Sequence, residues 1–500
     1  LLACLRTAAV FGVEPSPVHV EVDVSFGLPG FTMVGLPDAS VRESRDRVRS
    51  AIRNSGFEFP AHRVTVNLAP ADVRKAGASF DLPIALGILA AQGVVERRQI
   101  VDLVILGELS LDGSIHATRG VLPIAAAARR QGVVGILLPK ANAEEASVVA
   151  GLAIVAVSSL TEAVRALNDP ASAPPCPIPP PPVFSAGPDL ADVRGQLLAR
   201  RALEIASAGG HNLLIVGPPG AGKTMMARRM PGVLPPLTFD EALEATAVHS
   251  VAGLLPPGGG LLTERPFRAP HHTISDVALV GGGSQPRPGE VSLAHHGVLF
   301  LDEMPEFGRH VLEVLRQPLE EGSVTIARAT RAAVFPARFM LVGAMNPCPC
   351  GFLGDPAREC RCTPQQIARY HGRLSGPLRD RLDLTVEVQA LPPDLLSGEA
   401  PGEPSSSVRS RVVGARRRQW DRCGRVGART NAELTPSLLA QHCQLDASGT
   451  RLLAGAVSRL GLSARAYDRV RKVARTVADL SGAERIGSDH VAEALQFRMP

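Results

Sequence analysis

The chain has 500 residues, 45% of them hydrophobic and 20% charged, a length that accommodates about three domains. Its 53 basic and 48 acidic residues leave a formal charge of +5, too mild by itself to mark a nucleic-acid binder. No apolar run reaches the roughly 18 residues of a membrane span, and eight cysteines in this length do not make a disulfide framework. The expected location is cytoplasmic, with no membrane partner. The opening Leu1-Leu2-Ala3-Cys4 mimics a lipoprotein cleavage site, but neither a charged segment nor an apolar run precedes it, and it reads as coincidence.

Residues 1–168 are the first predicted domain. Two segments stand out in it, Lys75-Ala76-Gly77-Ala78-Ser79-Phe80-Asp81-Leu82-Pro83 and Leu106-Gly107-Glu108-Leu109-Ser110-Leu111-Asp112-Gly113. Residues 169–188 are a linker, extended and semi-rigid over the proline run from Pro174 to Pro182. Residues 189–393 alternate strand and helix patterns, which predicts a parallel α/β sheet. Its first strand, Leu213-Leu214-Ile215-Val216, runs into Gly217-Pro218-Pro219-Gly220-Ala221-Gly222-Lys223-Thr224, a GxxxxGK[ST] phosphate loop. Backbone N–H groups there face anionic oxygens, Lys223 supplies charge to the outer phosphates, and Thr224 supplies a hydroxyl to Mg²⁺. The helix starting near Gly222 adds its positive end. An insert from Phe267 to Glu290 carries Arg268, His271, His272 and Arg287, of which Arg268 is a candidate DNA contact and a solvated hairpin the alternative.

A second strand, Val298–Leu301, ends in Asp302 and Glu303, which suit a Mg²⁺ partner and a group that polarises the attacking water. A third, Phe339–Ala344, ends at Asn346, whose amide could orient water near the γ-phosphate. Between them, Glu320–Phe335 contains two β-prone runs around a basic tip with Arg328 and Arg331. Cys348-Pro349-Cys350 and Cys360-Arg361-Cys362, nine residues apart, make a loop over 348–362. Four thiolates can close a tetrahedral Zn²⁺ site; four reduced cysteines are the alternative. After a second break at 394–408, residues 409–500 show helical periodicity in Leu452, Ala456, Leu460 and in Val470, Val473, Ala474, Val477. The stretch Val408 to Arg422 holds Arg409, Arg411, Arg416, Arg417, Arg418 and Arg422, which reads equally as a DNA contact or as a solvated face. Aromatics are only 4% of residues, so backbone charge contact is expected over base stacking, with salt-sensitive binding.

Phosphate loop, acidic pair, polar sensor and helical lid together resemble an AAA+ ATPase. The resemblance implies that Val193-Arg194-Gly195-Gln196 lies by the adenine and that Asn346 is the first sensor. It also implies that Arg381, in Gly376-Pro377-Leu378-Arg379-Asp380-Arg381-Leu382-Asp383, is an arginine finger reaching a neighbouring subunit's ATP, and that Arg465 is the second sensor. The residues 320–335 resemble the hairpin that ring helicases project into a central pore, where Arg328 and Arg331 would meet phosphates. Phe267-Arg268-Ala269-Pro270-His271-His272, Gly281-Gly282-Gly283 with Pro288-Gly289-Glu290-Val291-Ser292-Leu293-Ala294-His295, and Ala344-Met345-Asn346-Pro347-Cys348-Pro349-Cys350-Gly351 resemble the magnesium-chelatase-like YifB/ComM family across nearly the whole chain. That resemblance implies ATP and Mg²⁺ as cofactors, DNA as partner, a homo-oligomeric and hexameric ring, and branch-migration helicase activity in recombination and natural transformation. Residues 1–168 are similar to the α+β catalytic domain of Lon protease, of the ribosomal S5 domain 2-like fold. The nucleophile position falls on Ser79, but the position of the lysine base falls on Leu122, and neither Lys75 nor Lys140 matches it. A non-proteolytic scaffold is therefore expected. The rival readings are a remodelling ATPase with a protein client, a chelatase-type motor, and a Lon-class protease, which Leu122 argues against.

Overall fold

The computed structural model describes residues 1–71, 75, 77–172, 187–255, 260–283, 286–327, 332–355, 358–390, 402–424 and 428–498. The proline run of the first linker therefore lies outside the described residues, as do Arg328 and Arg331.

The N-terminal domain is α+β. Strands β1 (Leu2–Phe11), β2 (Glu14–Ser25), β3 (Gly30–Val34), β4 (Arg63–Ala69) and β5 (Leu103–Ile105) precede a minor pair, β6 (Glu108–Leu109) and β7 (Ile115–His116). With β8 (Gly135–Pro139) and β9 (Ala153–Val157) the main sheet has seven strands in the order β3-β4-β2-β1-β5-β8-β9. Val18, Val20 and Val22 are fully buried, the period of two expected of a strand with one covered face. The helix Asp81–Ala91 covers it and is buried along its whole length. A Cβ at Gly87 would come within 2.6 Å of Val22 Cγ2, so glycine there permits the close approach of helix to sheet.

The core of the second domain is a five-stranded, wholly parallel sheet of β10 (Leu213–Val216), β11 (Phe267–Arg268), β14 (Val298–Leu301), β17 (Met340–Met345) and β18 (Leu384–Glu387), in the order β11-β14-β17-β10-β18. Two hairpins leave it: β12 (Gly281–Gly282) with β13 (Arg287–Pro288), and β15 (Ser323–Ala327) with β16 (Ala332–Pro336). The second frames the basic tip expected from the sequence. One face of the sheet shares a core with the lid, where Ile215, Phe300 and Val342 cluster with Val408, Val412, Val470, Val473 and Val477. The other packs Leu299, Leu301 and Leu341 with Phe307, Leu312, Leu315 and Leu378.

The lid comprises helices Ser405–Cys423, Pro436–His442, Ala447–Leu460, Ala464–Ser481 and Ser488–Gln496. The first starts inside the span expected to be the second linker. Five of its six arginines are engaged within the chain, and Arg417 is exposed. Arg409 donates to the Gly232 carbonyl, Arg411 to Glu204 and Glu403, Arg416 to Ser207 O, and Arg418 to Asp479 O. Arg422 pairs with the buried Asp479. Helical spacing sends these side chains around the helix, and most of them tie it to its neighbours.

The two domains meet at Glu145. Its buried carboxylate accepts from Leu122 N at 2.9 Å, from Asn142 Nδ2 at 3.0 Å, and from Ser250 Oγ of the second domain. Among the described residues no helix is long and apolar enough to cross a membrane.

Candidate active site

The carboxyl ends of three adjacent strands converge. β10 is fully buried and delivers the chain to the phosphate loop, and the helix Lys223–Ala227 begins directly after it. Gly220 and Gly222 have φ of +79° and +82°, the left-handed region where glycine is unstrained. Lys223 Nζ donates to Gly217 O at 2.7 Å, Pro218 O at 2.9 Å and Asn346 Oδ1 at 3.0 Å. Burial lowers the Lys223 pKa, against the opposing pull of Asp302 and Glu303. Thr224 Oγ1 donates to Asp302 Oδ2 at 2.6 Å. A hydroxyl and a carboxylate oxygen thus share one point, a hard-oxygen donor pair suited to Mg²⁺, beside a loop of inward backbone donors suited to phosphate. The residues present fit a Mg²⁺–nucleoside triphosphate. Of the segment expected beside the adenine, Val193 is buried and Gln196 Nε2 donates to Gln389 O at 2.6 Å.

Glu303 follows Asp302 in the left-handed region, φ +50°, with its side chain 58% exposed. Its N–H donates to Asp302 Oδ1 at 3.0 Å. His272 Nδ1 lies 3.7 Å from Glu303 Oε2. The His272 ring packs on His271 at 4.1 Å and edge-on to Phe307 at 6.4 Å. The insert first read as a DNA contact thus delivers a histidine to the catalytic strand. Arg268 is held by Glu290 through bonds of 2.6 and 2.8 Å, so its charge is met within the subunit.

Arg381 is elsewhere. It precedes β18, and so lies at the amino edge of the sheet, opposite the phosphate loop. Strands of four to six residues separate the two edges, on the order of 13–20 Å, beyond an arginine's reach. Arg381 Nη1 donates to Pro377 O at 2.5 Å, its Nε is buried with no hydrogen-bond partner among the described residues, and its guanidinium pairs with Glu320. Burial and then the like charges of Arg316, Arg465 and Arg469 lower its pKa. Arg465 is therefore a neighbour of Arg381, on the edge away from Lys223. Arg381 and Arg469 border a cavity of about 710 Å³ between sheet and lid, lined also by Arg338 and Lys472.

The cysteine loop abuts the phosphate loop. A Cβ on Gly351 would meet Pro219 Cδ at 2.6 Å. Cys348 Sγ lies 3.3 Å from Cys350 and 3.6 Å from Cys360, and all four sulfurs lie within 4.8 Å of one another. Ligands at about 2.3 Å from a tetrahedral Zn²⁺ would sit about 3.8 Å apart, so the four thiols fit that ion. Backbone N–H groups of Phe352 and Arg361 pull the Cys350 thiol down to about 6, while burial and the neighbouring sulfurs push Cys360 and Cys362 up. The helix Pro364–His371 then braces the segment after β17: His371 Nε2 is 2.9 Å from Pro347 O, and burial pushes Tyr370, bonded to the Asn346 backbone, up to about 12.

Glu244, His295 and His296 also gather within 4.8 Å, but their protons disfavour a metal. His295 Nδ1 accepts the Arg338 N–H at 3.0 Å, so a neutral ring carries its proton on Nε2, which faces Glu244 at 3.1 Å. A ligating Nε2 needs the opposite tautomer.

In the N-terminal domain Ser79 lies half-buried in the turn Ala78–Phe80, and no lysine or histidine among the described residues hydrogen-bonds its hydroxyl. Leu122 is fully buried, Lys75 turns its ammonium to the Pro70 carbonyl, and Lys140 is exposed.

Comparison with known proteins matches three stretches of the chain. Residues 189–396 match the magnesium chelatase subunit ChlI family, residues 20–142 the family described as subunit ChlI of Mg-chelatase, and residues 402–498 the magnesium chelatase subunit ChlI C-terminal family. The chain is 45% identical to the protein YifB of Escherichia coli strain K12 over 99% of this chain and 97% of that protein. It is 46% identical to the competence protein ComM of Haemophilus influenzae, again over 99% and 97%. The magnesium-chelatase 38 kDa subunit of Rhodobacter capsulatus matches at 26% over 35% of this chain and 48% of its own length. With a five-stranded parallel core, a phosphate loop and full-length similarity of this kind, the chain belongs to the YifB/ComM family of magnesium-chelatase-like AAA+ ATPases.

Proposed function

We propose that this protein is an ATP-driven, ring-forming DNA motor, and within that class a helicase that promotes branch migration during recombination, acting in the cytoplasm. The observation that carries the reading is the separation of Arg381 from the phosphate loop of its own subunit. A guanidinium suited to the charge of a transferring phosphoryl group stands on the edge where only another subunit's nucleotide can reach it. A closed ring, six-membered by analogy with related motors, supplies that neighbour. Arg465 belongs to the same trans site, while Lys223, Thr224, Asp302, Glu303 and Asn346 act on the subunit's own nucleotide. Lys223 and the loop N–H groups hold phosphates, Thr224 and Asp302 hold Mg²⁺, Glu303 takes the proton of the attacking water, and Asn346 orients that water.

DNA as the substrate is supported by the β15–β16 hairpin just before the sensor strand, between whose strands the sequence carries Arg328 and Arg331, and by the competence name of the relative ComM. The four cysteines hold a structural Zn²⁺ that braces the sensor loop, and the N-terminal domain is a non-proteolytic scaffold docked through Glu145. The test is ATPase rate against a panel of single-stranded, duplex, forked and three-strand exchange DNA. Stimulation greatest with branched DNA, with strand displacement, is the expected result. Stimulation by unfolded protein or a tetrapyrrole, with indifference to every DNA, would replace this reading with one of its rivals.

A further inference from the structure

The amino edge contains one contact that the motor reading does not use. Glu320 closes on Arg381 within the same subunit. The Glu320 side chain is 61% exposed and the Arg381 side chain 10%, so solvent or a ligand reaches the carboxylate before the guanidinium. Around the pair stand three further cations, Arg316, Arg465 and Arg469. Arg316 is met by Glu313 at 3.1 Å, and Arg469 lies 3.6 Å from Asp383.

Glu320 also has a mechanical position. It belongs to the short helix Arg316–Glu321, which ends at Gly322 (φ +66°), and β15 begins at the next residue. Gly322 O accepts from Ala337 N at 2.8 Å, closing the base of the β15–β16 hairpin. The residue that restrains the finger is thus three positions from the hairpin proposed to grip DNA, with a glycine bend between them and no flexible loop to absorb a movement.

We propose that Glu320 is a positioning residue for the arginine finger, holding Arg381 inside its own subunit until movement of the β15–β16 hairpin withdraws the carboxylate and frees the guanidinium for the neighbouring subunit's triphosphate. This rests on the reading of a trans finger and a DNA-gripping hairpin, and it supplies the link between them: DNA engagement at the hairpin becomes finger release. No bond is made or broken; a carboxylate and a polyphosphate compete for one cation.

The experiment measures ATP turnover of the full chain with and without branched DNA for the parent, Glu320→Gln, Glu320→Asp, Arg381→Ala and the double variant Glu320→Gln/Arg381→Ala. Glu320→Gln should raise the rate without DNA by about threefold to fivefold, the scale of a half-exposed ion pair, and lower the ratio of stimulated to unstimulated rate toward one. Glu320→Asp keeps the charge and should keep most of the parent's DNA response. The double variant should be as inactive as Arg381→Ala, which a general loosening of the fold would not require. Glu321→Gln, one residue along the same helix where the carboxylate meets Gln317 at 2.9 Å, should behave as the parent does. A Glu320→Gln protein with the parent's basal rate and DNA response, or with lost turnover, overturns the proposal. The underlying reading fails differently: either Arg381→Ala turns over normally, or the parent itself ignores DNA.

Discussion

The two edges of the ATPase sheet are built by different means. At the carboxyl edge every functional group lies within a few residues of a strand end. The parallel register, which sets Leu301 opposite Gly343 and Val216 opposite Met345, brings Asp302, Asn346 and the phosphate loop together. At the amino edge the groups come from distant elements: Arg381 meets Glu320, Asp383 meets His211 and Arg469, and Arg265 meets Glu241. Backbone register fixes the first edge from within a single chain. The second holds a buried guanidinium nitrogen that has no hydrogen-bond partner among the described residues and stands among crowded like charges, which on the proposed reading a neighbouring subunit's anion would meet. The site that binds and the site that fires are therefore separable, and mutations should separate them.

The largest effects should divide by edge. Lys223→Ala should abolish ATP binding, read as loss of fluorescent-nucleotide affinity. Arg381→Ala should leave that affinity intact and lower turnover by on the order of a thousandfold. Mixed rings of the two variants should regain turnover at interfaces that pair an intact phosphate loop with an intact finger. Confirmed mixed rings with no recovery at any ratio would place both edges in one subunit's chemistry. Glu303→Gln comes next: binding stays, and hydrolysis falls by roughly a hundredfold to ten-thousandfold. Parent-like turnover in that variant removes Glu303 from the mechanism.

The same contrast explains what the sequence made legible. The phosphate loop, the acidic pair and the sensor were readable because each is a short local pattern fixed to an apolar strand. The hairpin flanks of β15 and β16 were readable from β-prone runs. The amino edge was not, because Glu320 and Arg381 are joined only by tertiary folding, and nothing in their spacing pairs them. Arg465 was identified as a sensor by resemblance, but the edge it occupies follows from lid packing. The basic helix Ser405–Cys423 misleads for a related reason: a count of arginines does not show that Arg416 and Arg418 are spent on the carbonyls of Ser207 and Asp479. His272 was read as part of a basic insert, and its approach to Glu303 depends on β11 lying beside β14.

Two intermediate effects sharpen the assignment of the loops around the carboxyl edge. Purified protein should contain about one Zn²⁺ per chain by elemental analysis, and replacing Cys350 and Cys362 by Ser should release it and weaken turnover through the sensor. Carefully prepared protein without zinc would leave four thiols and no metal. Replacing Arg328 and Arg331 together by Ala should weaken DNA binding with little sequence preference and lower the salt slope by about one per lost contact. Basal ATPase should survive, since neither residue is assigned to the nucleotide. An unchanged slope and unchanged stimulation would move the DNA grip elsewhere.

The smallest effect is proton-linked and belongs to the amino edge. His295 and His296 stand just before β14 and converge on Glu244 of the helix Phe239–Ala252. Burial lowers His295 to about 4, against the hydrogen bond to Glu244 and with the help of the nearby His296 and Arg338 charges. Glu244 is held well below the usual carboxylate range, first by the His295 hydrogen bond and then by that of His296. An unfolded chain protonates its histidine near 6.5 while the folded chain keeps His295 neutral, so between these values the unfolded state binds more protons. Stability from His295 is therefore complete above about pH 6.5 and is lost as pH falls toward 4, by at most roughly 3 kcal/mol. Glu244 adds a loss with the same sign below the ordinary carboxylate pKa. The phosphate-loop edge has no comparable histidine against a carboxylate at hydrogen-bond distance among the described residues, so the acid sensitivity should track this cluster. The measurement is the urea midpoint between pH 6.5 and 4 for the parent and for His295→Gln, which retains an N–H donor for Glu244 but cannot take up a proton. A shallower fall in the variant is expected; parallel curves would show that the acid response arises elsewhere and that this cluster only packs.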